Sequence, residues 1–193
     1  MSSNKVFISS IYWGLEDVRQ EIYDWASANG LEAWIFEKSD PLLGQTPPAN
    51  IERVCLRQVD ESVLYIAIFH QRYGSTTKFH LANVSLVDLE FFEAFKEGKP
   101  ILVYILGSFT PEPELEAFIQ IISTLVPNSV KFCETKRHLI QQIQRDIAQY
   151  FGASEQYQGT DRTRRFRRFL AGLATIRRPL DVDVGLRFLA GTR

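Results

Sequence analysis

Two glutamates, Glu90 and Glu93, stand in V-S-L-V-D-L-E-F-F-E-A-F-K-E-G-K-P-I-L-V-Y-I, residues 84–105. An enclosed carboxylate can stabilise a developing positive charge, act as a nucleophile, or take or give a proton. Each glutamate is therefore a candidate catalytic group. The stretch reads as a helix, a Gly98-Lys99-Pro100 turn and an apolar strand. Ser85 offers a cap for the helix, and Asp88 stands where a capping box puts its acid. Leu86, Leu89, Phe92, Ala94 and Phe95 supply a buried stripe. Glu90 and Glu93 flank that stripe, which leaves one of them able to face a cleft or both able to face solvent.

Other polar groups follow predicted strands. Ser9 and Ser10 come directly after Val6-Phe7-Ile8 and lead into Tyr12, Trp13 and Gly14. Serine hydroxyls and amides before a helix suit a phosphate, and the aromatic side chains suit a flat ring. Arg72, in the loop after the third strand, is able to hold a phosphate or carboxylate. His70, His80 and His138 are too scattered for a zinc site, so no metal is expected. Neither G-x-G-x-x-G nor G-x-x-x-x-G-K-[ST] occurs, which argues against a dinucleotide redox domain and a Walker-type ATPase.

The elements that must position these groups alternate along the chain. Strands are predicted at Val6–Ile8, Leu31–Phe36, Val63–Phe69, Ile101–Leu106 and Val130–Phe132. Helices are predicted at Leu15–Ala28, Ile51–Glu61, the stretch opening at Ser85, Pro111–Leu125 and Glu134–Phe151. Five strands alternating with helices imply an α/β fold, a mostly parallel sheet flanked on both faces. Ligands in such sheets bind outside the carboxyl ends of the strands. Those ends are Ser9–Gly14, the proline-rich loop Glu37–Asn50, His70–Ala82 and the Gly107-Ser108 turn.

The 193 residues, 45% of them apolar, can bury one sizeable core. The net charge of −1 hides a split: residues 1–152 carry 13 basic and 19 acidic side chains, residues 153–193 nine arginines and four acids. A body over 1–152 and a linker, arginine-rich amphipathic helix and C-terminal arm over 153–193 are expected. The acidic body argues against nucleic-acid chemistry as the main task, whereas R-R-F-R-R in the arm suits nucleic acid, an anionic membrane or a protein partner. The first residues lack a signal-peptide core, and no run approaches a membrane span. Cys55 and Cys133 lie far apart in apolar settings without a disulfide framework, so a cytoplasmic location is expected.

The string K-V-F-I-S-S-I-Y-W-G-L-E-D-V-R-Q-E-I closely resembles the start of the DUF4062 family, within the wider TIR-like group. R-Q-V-D-E-S-V-L-Y-I-A-I-F-H-Q-R-Y-G-S and the Ser85–Ile105 helix and strand agree with it in order, so the similarity spans residues 5–106. The resemblance implies a TIR/flavodoxin-like five-stranded sheet. Some TIR domains cleave NAD at the nicotinamide–ribose bond with a glutamate on the helix before the fourth strand. Glu90, with Ala94 four residues on, is the best match and Glu93 the second. Ser85 matches a serine at the helix start, Ser9 and Ser10 border the nucleotide, and Tyr12, Trp13 or Trp34 would stack on nicotinamide. NAD is then a substrate, and no tightly bound cofactor is implied. Glu37–Asn50 matches a loop that mediates assembly, implying a homo-oligomer on activation and a sensor or NTPase module in the same longer protein or another chain, as in defence systems. This chain departs from the family patterns: Val87 and Asp88 replace a Trp-Cys pair, Ile11 replaces a threonine, Gly14 an aspartate, and V-R-Q-E lacks the E-R pair. The alternatives are a non-catalytic assembly or adaptor module, and a nucleoside or deoxyribosyl transferase.

Overall fold

A strand made of apolar residues alone has no face to give to water and must be covered on both sides. Leu64–Phe69 and Ile101–Leu106 meet that demand at the centre of a five-stranded sheet. The computed structural model describes residues 4–38, 48–74, 84–107 and 110–154. Its strands are β1 (Lys5–Ser10), β2 (Glu32–Trp34), β3 (Leu64–Phe69), β4 (Ile101–Leu106) and β5 (Val130–Cys133). Its helices are α1 (Glu16–Ala28), α2 (Pro48–Glu61), α3 (Leu86–Lys96), α4 (Pro113–Leu125) and α5 (Lys136–Ser154). Every strand pair is parallel, in the order β2-β1-β3-β4-β5. This is the flavodoxin-like order, with its switch point between β1 and β3, and it agrees with the expected TIR-like α/β fold.

The period-two alternation of each strand divides the core into two layers. Val6, Ile8, Leu64, Ile66 and Tyr104 face α1 and α5, packing on Leu15, Val18, Ile22, Leu139 and Ile143. Phe7, Tyr65, Ala67, Phe69 and Val103 face the other way, against Val59, Phe91, Phe92 and Phe118 of α2, α3 and α4. Across that second layer Phe7 stacks on Trp34 at 4.8 Å between ring centroids and on Tyr65 at 5.8 Å. The resulting aromatic ladder runs over β2, β1 and β3.

Several boundaries differ from the expected ones. The second strand shrinks from Leu31–Phe36 to Glu32–Trp34 because it is an edge strand, paired only through Lys5, Val6 and Phe7, and Phe36–Lys38 turns into a 3₁₀ helix. Helix α2 starts at Pro48, inside the expected loop Glu37–Asn50, since proline at the first helical position forfeits no needed N–H. Helix α4 likewise begins at Pro113 rather than Pro111. The largest correction concerns α3. No single stripe is buried; Val87 to Ala94 are buried all round, with Leu86 and Phe95 only half-buried. The helix lies over the sheet between α2 and α4, and Phe91 and Phe92 meet Phe118 of α4 at 5.6 and 6.1 Å.

Most of the Glu37–Asn50 loop (39–47), residues 75–83 with His80, Ser108 and the arm from 155 lie outside the described residues. Among the described residues no helix is long and apolar enough to cross a membrane.

Candidate active site

At the carboxyl end of β1, consecutive side chains leave the sheet on opposite sides. Ser9 follows Phe7 toward α3, and Ser10 follows Ile8 toward α1. Each serine meets a charged group. Ser9 Oγ donates to Glu90 Oε2 at 2.5 Å, while Arg19 Nη1 donates to Ser10 Oγ at 2.5 Å and to the Ser10 carbonyl at 3.2 Å. These four side chains line one cleft of about 800 Å3, at the switch point of the sheet. Ile51 and Cys55 of α2 and the start of α3 form part of its wall.

Glu90 is 5% exposed. Burial raises its carboxyl from 4.5 to about 7, against the lowering effects of the Ser9 hydrogen bond, the Arg19 charge and a hydrogen bond with Cys55. Burial also drives the Cys55 thiol far up, helped by the Glu90 charge, so Cys55 stays a neutral S–H group at the cleft wall. The hydroxyl of Tyr65 is fully buried next to Ser9 and Glu90, without a well-formed hydrogen bond among the described residues. The site combines a carboxyl poised between its two protonation states with a guanidinium, two hydroxyls and aromatic walls.

The position of Glu90 is fixed by local bonds at the start of α3. Ser85 and Asp88 form the capping box: Asp88 N donates to Ser85 Oγ at 3.2 Å, and the Ser85 N–H donates back to Asp88 Oδ2 at 3.4 Å. Tyr73 OH donates to the same Asp88 carboxylate, and the Tyr73 N–H donates to Glu112 Oε2 at 2.8 Å. One tyrosine thus ties the loop after β3 to both α3 and α4. Burial raises Asp88 to about 7, with Tyr73 and Ser85 opposing. The next residue, Gly74, has φ +96°, and a Cβ there would meet Ile11 Cγ2 at 2.7 Å, so the Arg-Tyr-Gly loop needs its glycine.

The remaining predicted groups divide between the cleft and elsewhere. Tyr12 and Trp13 are exposed at the cleft, edge to face with ring centroids 6.4 Å apart. Arg72 is exposed and lines it as well. Ser85 borders the cleft, but its hydroxyl is engaged in the cap. Trp34 is a wall residue with one face already stacked on Phe7. Glu93 does not line the cleft. Its carboxylate is bound by Lys96 Nζ at 2.9 Å, and burial and nearby Asp60 raise its pKa. Asp60, Glu93 and Glu97 bring carboxylate oxygens within 4.8 Å of one another, with Lys96 ion-paired to both glutamates.

Arg19, Cys55 and Glu112 were not singled out by the sequence reading. For Arg19 a signal existed. It lies four residues after Leu15 and three before Ile22, a charged residue within the buried stripe of α1. Cys55 stands in an apolar setting within the sequence of α2, and only the packing of α2 against α3 brings it to Glu90.

Among solved structures, this chain is similar to one titled "Structure of Clostridium botulinum CMP N-glycosidase, BcmB", at 12% identity, covering 74% of this chain and 98% of that one with a TM-score of 0.46. No curated protein matches the chain. A family model described as "Domain of unknown function (DUF4062)" matches residues 5–162, well over half of the sequence, and the chain accordingly belongs to the DUF4062 family.

Proposed function

We propose that the protein cleaves an N-glycosidic bond of a nucleotide, with Glu90 as the group that meets ribosyl C1′. The observation that carries this reading is the Glu90 carboxyl itself: buried in the wall of an open cleft, held by Ser9, and raised to about 7. A buried carboxyl whose desolvation outweighs the Ser9 and Cys55 hydrogen bonds and the Arg19 charge, in the wall of a cleft, is poised for chemistry. As C1′ loses its base, positive charge develops on the sugar. Ionised Glu90 stabilises that charge or adds to C1′, and water completes the hydrolysis. The C1′–N bond breaks with its electron pair going to the base, while the attacking water gives its oxygen to C1′ and releases a proton.

The identity of the base changes the proton balance. Nicotinamide leaves NAD as a neutral molecule and needs no acid. Cytosine leaves CMP with surplus electron density and must gain a proton. NAD cleavage therefore rises with pH as Glu90 ionises, through about 7. Cleavage of a CMP-type substrate has a second, falling limb at higher pH, because a protonated group is also required. Tyr12 and Trp13 are suited to stack on either ring.

The test is base release from NAD and from CMP, followed chromatographically at high protein concentration so that any self-association is included. Glu90→Gln (E90Q) is expected to lose about 10³-fold or more in rate. Equal release by E90Q would overturn the assignment. Absence of release by the natural sequence from both substrates would favour the assembly-module reading.

A further inference from the structure

The alternation at the end of β1 sets a carboxylate and a guanidinium on opposite sides of one strand, both lining the same cleft. Glu90 is accounted for by the glycosidic reading; Arg19 is not. It is 3% exposed, which is rare for arginine, and it springs from the second turn of α1 rather than from a loop. Two acceptors of one residue, the Ser10 carbonyl and hydroxyl, hold its Nη1. Those bonds fix the plane of the guanidinium before any ligand arrives, so little rotamer freedom is left to lose on binding.

We infer that Arg19, held by Ser10, is the anion subsite that receives the 5′-phosphate of the nucleotide. This inference rests on the glycosidic reading of the same cleft. With C1′ at Glu90, the 5′ arm reaches Arg19 when it runs across the end of β1, from the Ser9 side to the Ser10 side of the same cleft. The planar, permanently charged guanidinium suits phosphate oxygens in a way that a lysine ammonium does not reproduce. Arg72 also lines the cleft, but it is exposed and its charge is screened by solvent, whereas the field of Arg19 acts in a low-dielectric wall. The subsite therefore makes the protein select a 5′-phosphorylated ligand over the free nucleoside. That phosphate is either a monoester, as in CMP or nicotinamide mononucleotide, or the first phosphate of a dinucleotide such as NAD.

The test measures calorimetric affinity of the full chain carrying E90Q, which prevents turnover, for cytidine, CMP, nicotinamide riboside, nicotinamide mononucleotide and NAD. A charge-assisted contact of this kind is expected to favour the phosphorylated member of a pair by about 10- to 100-fold. With Arg19→Gln added, that preference is expected to collapse, and with Arg19→Lys to survive only in part. Equal affinity for nucleoside and nucleotide in E90Q, or a preference unchanged by Arg19→Gln in a protein of unaltered melting temperature, would overturn the subsite. If Arg19→Gln does not fold, Ser10→Ala decides instead, because it removes an acceptor that orients the guanidinium. A several-fold loss of phosphate preference is then expected, and no loss would refute the inference.

The NAD arm separates the sources: NAD binding tighter than both mononucleotides points to the dinucleotide, and the reverse to the monoester. Comparison with base release separates the two hypotheses. Arg19-dependent phosphate preference without cleavage of any substrate leaves the subsite and removes the glycosidase. Glu90-dependent cleavage with equal kcat/KM for nucleoside and nucleotide does the opposite.

Discussion

On the α5 side of the sheet, Asp146 accepts hydrogen bonds from Lys131 Nζ at 2.6 Å, Tyr104 OH at 2.6 Å and Gln142 Nε2 at 3.0 Å. On the α3 side, Glu90 accepts a hydrogen bond from Ser9 and interacts with Cys55 and Arg19. Both carboxylates are less than a tenth exposed. Burial raises the pKa of each, but at Asp146 the Lys131, Tyr104 and Gln142 donors outweigh it and hold the group below 3.8. At Glu90 burial wins, and the value climbs to about 7. Donors that outweigh desolvation make Asp146 a structural tie. Asp88, also raised to about 7, shows that a raised value alone does not mark a reactant, and Glu90 is set apart by lining the cleft. On one side of the sheet lies the carboxyl proposed to react, and on the other the carboxylate that staples β4, β5 and α5.

The largest expected break in this contrast is catalytic. E90Q loses about 10³-fold or more in base release, whereas Asp146→Asn keeps the rate of the natural sequence in whatever fraction remains folded. Chromatographic base release, normalised to folded protein, checks both.

Stability should respond in the reverse order. Asp146→Ala leaves the Tyr104 hydroxyl buried without its acceptor and removes the counter-charge of Lys131, and is expected to cost about 3 kcal/mol in urea unfolding at pH 7. For the natural sequence, the Asp146 contribution is present above 3.8 and is lost as the pH falls below that value, since its folded pKa is the lower one.

Glu90 carries the opposite sign. Its folded pKa is above 4.5, so the fold favours the protonated form, and that stabilisation is complete below 4.5 and lost as the pH rises through about 7. E90Q is therefore expected to be more stable than the natural sequence at pH 8, by about 2–3 kcal/mol, with the gap closing toward pH 5. Urea midpoints at the two pH values decide it; a gap that widened at pH 5 would contradict the assignment.

The smallest effects sharpen the same comparison through two buried tyrosines. Tyr104→Phe removes a donor to Asp146 and should destabilise by about 1 kcal/mol. Tyr65→Phe removes a buried hydroxyl that lies by Ser9 without a well-formed hydrogen bond, and should be neutral or stabilising by about 1 kcal/mol.

Local features of this chain were legible in its sequence. Ser85 and Asp88 announce the capping box because the bonds span three residues and need only a helix start. Ile101–Leu106 was read to the residue, because an apolar run bounded by Gly98-Lys99-Pro100 and Gly107 leaves little choice. Helical spacing in α1 and α5 puts Leu15, Val18, Ile22, Trp25 and Ala26 on one face and Leu139, Ile143, Ile147 and Tyr150 on another; all are buried except Trp25 and Tyr150, which are half-buried. Glu90 was the better-matched of two glutamates through its resemblance to a family pattern. No rule of helical spacing could separate it from Glu93, because α3 is buried all round and has no polar face to read.

The sequence by itself determined the order of elements, the parallel sheet they imply, and the short-range bonds at the start of α3, because these depend on side-chain period and near neighbours. Only the tertiary structure decided which groups meet. Glu90 joins Ser9 across 81 positions of chain, α2 brings Cys55 to the same carboxyl, and Arg19 meets Ser10 because α1 folds back along β1. The physical reason is that the pKa of a carboxyl and the reach of a guanidinium depend on what surrounds them in space. For Glu90 and Arg19 those surroundings come from strands and helices distant in the chain.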